Sequence, residues 1–350
     1  MTDKSTKPYE KLGSLAWDRG RLDIQALGGM MGPVEVILDD GRAIRPFMVA
    51  PWSDHSREDW EATEAPLLKR LRGDWVCLPF GLPGKPRTDL DARWLVGLDA
   101  NLEPPDPAQH GTCSNAPWRL EQAEPRALSM SFTPDARLPI SRIERRYVVA
   151  DGKPDIRVET RVVARASCEL QWGVHPTFRL PETPGTFEIA FGGKVKVLTY
   201  PGVFEKGVSR VAHAQVCDSL EAVPMLDGGT QSFASLPLPF DDEELILVAG
   251  HNGEARLTNR AEGYRVVMEW DPDVFPGVLL WVSNRGRRFP PWNGRFLGLG
   301  VEPVCAPFDL GYAHAVNPKS PMRALGVPTA TRFSPERDLV TGYRFRFESV

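Results

Sequence analysis

The sequence predicts an all-β sandwich, and three observations carry that prediction. Apolar residues recur with a two-residue period in many short segments. The 33 prolines and 31 glycines cut the 350-residue chain into pieces of strand length. Helical periodicity is poor almost throughout. Many short strands separated by turn residues fold most simply as a β-sandwich. With 42% hydrophobic residues the chain can bury a substantial core.

The elements follow in order. Residues 1–15 are polar and charged and are expected to be loosely held. Residues 16–350 contain no internal repeat and no composition break, which predicts a single β-sandwich domain. Asp40-Gly41 predicts a turn between strands at 33–39 and 42–50. The segment 57–71 is the best helical candidate, although Pro66 interrupts it. A strand is expected at 127–132. The clearest hairpin joins 142–149 to 155–164 around Asp151-Gly152. Further strands are expected at 187–191, 194–200, 244–249, 264–270, 277–283, 296–302 and 343–348. The Pro-rich stretches 82–86, 103–107 and 289–292 read as surface loops.

Composition excludes several classes of function. Net charge is −4, and Lys and Arg are scattered, so no basic face for nucleic acid is expected. No apolar run approaches the roughly 20 residues that cross a bilayer, so no membrane partner is expected. The N-terminal residues show no apolar stretch of signal-peptide type, and a cytoplasmic location is expected. Five cysteines, odd in number and without a CxxC, argue against a disulfide framework or a zinc knuckle and fit a reducing compartment. Cys113 lies near His110 and reads either as a nucleophile or as a small, partly buried residue. Nothing in the sequence speaks to oligomeric state.

Three short motifs each present one ionisable side chain in a stiff setting. His110 precedes Gly111 on a loop or at a strand start, where glycine leaves room for close approach to the backbone. His175 ends the apolar run Trp172-Gly173-Val174 and is followed by Pro176, which holds its backbone extended. A core histidine bonded to a backbone carbonyl is the competing reading. Glu302 ends Gly294-Arg-Phe-Leu-Gly-Leu-Gly-Val, a nearly uncharged strand that should be buried. A carboxylate there costs several kcal/mol unless paired or functional, and burial raises its pKa toward the range of a neutral-pH base. An ion pair with Arg72 or Arg285 is the alternative.

The order of these motifs resembles the aldose 1-epimerases of the galactose mutarotase-like superfamily: His110-Gly111, then His175-Pro176-Thr177-Phe178, then Val301-Glu302-Pro303. Asn115-Ala116-Pro117-Trp118 is similar to the segment that follows His-Gly in that family. The run from Leu71-Arg72-Gly73 to Pro79-Phe80-Gly81 is similar to a stretch of its hexose 6-phosphate branch. Two marks differ. Ser114 stands where that branch has an arginine, and Thr112 replaces the second glycine of typical galactose mutarotases.

The resemblance implies a large antiparallel β supersandwich and an isomerase that interconverts sugar anomers without metal or organic cofactor. It implies Glu302 as base on the C1 hydroxyl, His175 as acid on the ring oxygen, and His110 as a hydrogen-bonding partner near the anomeric centre. Arg72 and Asp242 are then expected to bind substrate, with Asp241 equally placed for the latter role. Trp75, Trp118, Trp172 and Phe178 are aromatic faces on which a sugar could stack, or else core residues. The loops 85–94 and 285–293 are expected to set which sugar is accepted. Two other readings stand beside this one: a carbohydrate-binding protein without turnover on the same fold, and a metal site built from the two histidines and the glutamate. The absence of HxH or HxxxH spacing argues against the second.

Overall fold

The structure is a computed structural model that describes residues 10–53, 65–82 and 84–350. Strands make up 47% and helices 7%, so the chain is all-β and built on large antiparallel sheets. The main sheet runs in the order Val76–Cys77, Trp172–Val174, Leu297–Cys305, Gly277–Asn284, Asp242–Asn259, Tyr264–Trp270, Leu339–Ser349, Asp155–Ala164, Ile140–Val148, Ala127–Phe132, Arg119–Glu124. A separate four-stranded sheet comprises Lys11–Trp17, Gly20–Gln25, Met31–Ile37 and Ala43–Ile44.

The 18-residue strand Asp242–Asn259 organises the main sheet because it changes partner along its length. Its first part, 242–249, pairs with Gly277–Asn284, and its last part, 254–259, pairs with Tyr264–Trp270. Between them Gly250 (φ 76°) and Gly253 (φ 85°) adopt left-handed backbone that glycine accepts without a Cβ clash. Phe187–Thr199 lines the other edge of this strand through two register shifts at the same place.

Two-residue alternation divides the interior between two apolar cores. Ile246, Val248, Val278, Leu280, Val282, Leu299 and Val301 enter the larger core. Their neighbours Leu245, Leu247, Ala249, Leu279, Trp281 and Val304 enter the second. The strands Gly277–Asn284 and Leu297–Cys305 are therefore buried on both faces, and every residue in them is buried. Glu302 lies on the face of the second core, opposite Leu279.

Residues 11–15, expected to be loosely held, instead belong to the strand Lys11–Trp17 paired with Gly20–Gln25. Residues 1–9 lie outside the described residues. Of the helical candidate at 57–71, residues 57–64 also lie outside them, and the remainder forms a 3-10 turn at Pro66–Arg70.

Candidate active site

The three ionisable motifs meet at one cavity of about 280 Å³ that His110, His175 and Glu302 all line. Glu302 reaches it from the middle of the buried sheet. The glycines at alternate positions before it, Gly298 and Gly300, leave that face of the strand bare. Its carboxyl group folds back over Gly300, where an added Cβ would lie 2.2 Å from Oε1.

His175 sits between the strands Trp172–Val174 and Thr177–Arg179. Its backbone N–H donates to the Trp75 carbonyl at 2.8 Å, and its ring stacks on the Trp75 indole with centroids 4.0 Å apart and planes 17° apart. Trp281 meets the same imidazole edge-on at 5.7 Å. Held flat between these rings, His175 brings Nε2 to 3.3 Å from Glu302 Oε1. Thr177 Oγ1 is 3.3 Å from the opposite nitrogen, Nδ1.

Trp75 is itself anchored through its neighbour. Asp74 accepts hydrogen bonds from Arg145 Nη2 at 2.6 Å and from the Tyr343 hydroxyl at 2.5 Å, and all three side chains are buried. This charged cluster lies in the interior and fixes the segment that presents Trp75 to the imidazole.

His110 has φ 54°, an uncommon backbone conformation for a residue with a side chain. Two bonds to Gly81 over-determine it: the His110 N–H donates to the Gly81 carbonyl at 2.8 Å, and the Gly81 N–H donates to His110 Nδ1 at 3.3 Å. With Nδ1 accepting, the neutral ring carries its proton on Nε2. The following Gly111 (φ 79°) was expected to make room for a ligand. The close approach is instead by the protein, since a Cβ there would lie 2.2 Å from the Leu78 carbonyl oxygen.

Burial dominates the electrostatics. It pushes the Glu302 carboxyl well above the ordinary carboxylate range, and the nearby Asp309 charge adds to the rise. It lowers His175 well below the ordinary imidazole value, with a further contribution from His110. His110 is lowered to about 4 by the same desolvation. Burial thus favours the neutral form of each group, with the proton on the carboxyl oxygen rather than on the imidazole. Moving that proton across the 3.3 Å contact gives a carboxylate beside an imidazolium, with the same net charge.

The cavity holds groups that the sequence did not reveal. Asp309 lines it and accepts a hydrogen bond at 2.8 Å from the Tyr200 hydroxyl, which in turn accepts one from Arg87 at 3.2 Å. Burial raises the Asp309 pKa. Trp281, Glu205 and Arg287 also line it. Nothing in Pro307-Phe308-Asp309 marks the aspartate, whereas Arg287 and Trp292 do fall in the loop expected to set specificity. From the loop at 85–94 only Arg87 is involved, and only through Tyr200.

Of the residues expected to meet substrate, Trp75 lines the cavity, whereas Arg72, Asp242, Trp118, Trp172 and Phe178 do not. Arg72 is buried, and its guanidinium donates to the Arg70 carbonyl and to Ser53. Asp242 is fully buried at the start of its strand, where Oδ1 accepts the Glu243 N–H at 3.0 Å; Asp241 pairs with Arg288 at 2.6 Å. Trp118 donates from Nε1 to the Cys113 carbonyl and Trp172 to Thr331 Oγ1. Phe178 stacks on Phe47 at 5.1 Å. All three of these rings belong to the larger core, because alternation turns Trp172 and Phe178 to the sheet face opposite His175. Cys113 is likewise buried off the cavity, with its thiol pushed up to about 12. Arg285 pairs with Glu182 rather than with Glu302. Among the described residues no cluster of three or more His, Cys, Asp or Glu is arranged to hold a metal ion, and no helix is long and apolar enough to cross a membrane.

No protein-family model matches the sequence, and no curated protein matches it. Solved structures do. An aldose epimerase homologue from C. elegans superposes with a TM-score of 0.64 at 11% identity, covering 97% of this chain and 99% of that one. A candidate aldose 1-epimerase from Escherichia coli K12 superposes with a TM-score of 0.62 at 16% identity, covering 96% and 98%. A galactose mutarotase-like protein from Clostridium acetobutylicum gives 0.59 at 13% identity, covering 96% and 95%. At these identities the likeness is one of fold, and the chain has the galactose mutarotase-like fold.

Proposed function

We propose that the protein is an aldose 1-epimerase-like isomerase that interconverts sugar anomers by acid/base ring opening. The observation that carries the reading is the closeness of Glu302 and His175, 3.3 Å apart on the wall of one cavity beside His110. Such a reaction removes a proton from the C1 hydroxyl and delivers one to the ring oxygen, with no net gain or loss. A pair that holds one proton between two oppositely shifted groups suits that exchange.

In the working form Glu302 is the carboxylate and takes the C1 hydroxyl proton, while the His175 imidazolium gives its proton to the ring oxygen. The C1–ring oxygen bond breaks as the C1 carbonyl forms. The open aldehyde turns about C1–C2, and the ring recloses with the roles exchanged. His110 donates from Nε2 to oxygen near the anomeric centre and stabilises charge that develops there. The Trp75 stack holds the His175 ring in one plane throughout.

The test is anomer exchange of free sugars followed by NMR. Glu302→Gln should lower any acceleration by roughly 100- to 10,000-fold, the usual range for a positioned acid or base, and His175→Asn should do the same. Unchanged rates in Glu302→Gln would remove the pair from the mechanism. Sugar affinity with no acceleration in the wild type would make the protein a binding module instead.

A further inference from the structure

The cavity is lined unlike a site for a fully hydroxylated or phosphorylated sugar. Twelve of its nineteen described lining residues are apolar or aromatic. The polar groups are concentrated in His110, His175, Glu302 and Asp309, which serve the reacting centre. Apart from Gln109, Glu205 and Arg287 the remaining wall is leucine and aromatic surface, and it continues outward: Leu82 and Phe289 line the cavity yet are 40% and 49% exposed. Two large apolar side chains, brought from separate loops to the rim of one cavity, offer an apolar ligand group surface that water otherwise covers.

The charge on this wall is equally particular. Arg287 is the one arginine or lysine among the described lining residues. Its Nε lies 3.0 Å from Glu205 Oε2 and 3.3 Å from Glu243 Oε1. Its guanidinium carbon stands 4.9 Å from the Trp292 ring centroid, 5.5 Å from Phe204 and 5.6 Å from Trp281. The cation is therefore matched by two carboxylates and enclosed by three aromatic faces. A phosphoryl group, carrying a charge of about −2, would have to displace Glu205 or Glu243 to reach it.

We infer that the cavity takes an uncharged aldose whose exocyclic C6 arm ends in an apolar group, a deoxy methyl or an alkyl or aryl substituent, and that it rejects hexose 6-phosphates. The inference rests on the anomer-exchange reading for its chemistry but not for its binding preference. The reducing end faces the imidazoles and carboxylates, and the C6 arm, which projects clear of the pyranose ring, lies along the leucine and aromatic wall toward Leu82 and Phe289.

The test compares four probes in both the gluco and galacto series: the hexose, its 6-deoxy form, its 6-O-benzyl ether and its 6-phosphate. Each is followed by NMR anomer exchange and by quenching of tryptophan fluorescence, as Trp75, Trp281 and Trp292 line the cavity. The 6-deoxy and 6-O-benzyl sugars should exceed the parent hexose in kcat/KM by about tenfold, the scale of a small apolar group in a fitted pocket, and the 6-phosphate should fall below the parent. Phe289→Asp should erase most of the benzyl advantage. A 6-phosphate handled as well as the parent, or apolar sugars no better than the parent, would overturn the inference. If no probe exchanges faster than in buffer, the epimerase reading fails and fluorescence decides alone. Tighter binding of the benzyl ether than of the hexose then upholds the apolar C6 site, and equal or absent binding removes it.

Discussion

Gly300 offers the sharpest test of whether the position of the Glu302 carboxyl matters. Replacing it with alanine puts a methyl carbon 2.2 Å from Glu302 Oε1 and 3.1 Å from the Trp281 Cβ. Ordinary contact begins near 3.4 Å, so the carboxyl must move by about 1.2 Å. Its strand is buried on both faces and cannot yield easily. A misplacement of about 1 Å costs on the order of a hundredfold in rate, or about 2.7 kcal/mol of transition-state stabilisation. The added methyl should also lower stability by about 1–3 kcal/mol through overpacking. Gly298→Ala separates the two effects. It lies on the same strand and face, but its methyl meets Phe296 at 2.8 Å and leaves Glu302 alone. Urea unfolding should show similar losses of stability for both variants, while NMR anomer exchange should show the rate loss in Gly300→Ala only. Equal rates in the two would refute the argument that the bare glycine face sets the carboxyl.

Other outcomes follow from the same geometry. The pH–rate profile should be a bell. Its acid limb, from a second proton on the pair, should lie below the ordinary imidazole value because His175 is lowered, and its alkaline limb should lie above the ordinary carboxylate value because Glu302 is raised; a single transition at pH 6.5 would contradict this. Arg145→Leu should destabilise the fold by about 3–5 kcal/mol in urea unfolding, since it strands the buried Asp74 carboxylate, and should lower activity through Trp75. Glu244 is raised to about 8, chiefly by burial and next by Asp242. A raised carboxyl contributes stability that is full below its unfolded value of 4.5 and is lost as pH rises through about 8. Wild type should therefore lose stability between pH 5 and 9 relative to Glu244→Gln, and parallel curves would sink that assignment.

Strands with a clean two-residue period were legible, and 127–132, 155–164 and 264–270 coincide with observed strands. The strand at 244–249 was seen only in part. Gly250-His251-Asn252-Gly253 looks like a turn, yet the chain bends there and continues to Asn259 with a new partner. Arg119–Glu124 escaped notice because it is almost wholly exposed and has no apolar alternation to read. Among the residues that line the cavity, His110, His175 and Glu302 were legible because each stands in a short motif beside proline or glycine. Asp309, Trp281 and Arg287 were not, since their place depends on register, such as Trp281 opposite Gly300. Trp172 and Phe178 lie off the cavity for the converse reason. Each lies three residues from His175, and an odd step along extended chain points away from it.

The flat contact between Trp75 and His175 has one more consequence. An imidazolium quenches the emission of an indole it touches more strongly than a neutral imidazole does, so each passage of the shared proton onto His175 should dim Trp75. In a variant that keeps Trp75 as its one emitting tryptophan, that dimming would report where the proton resides.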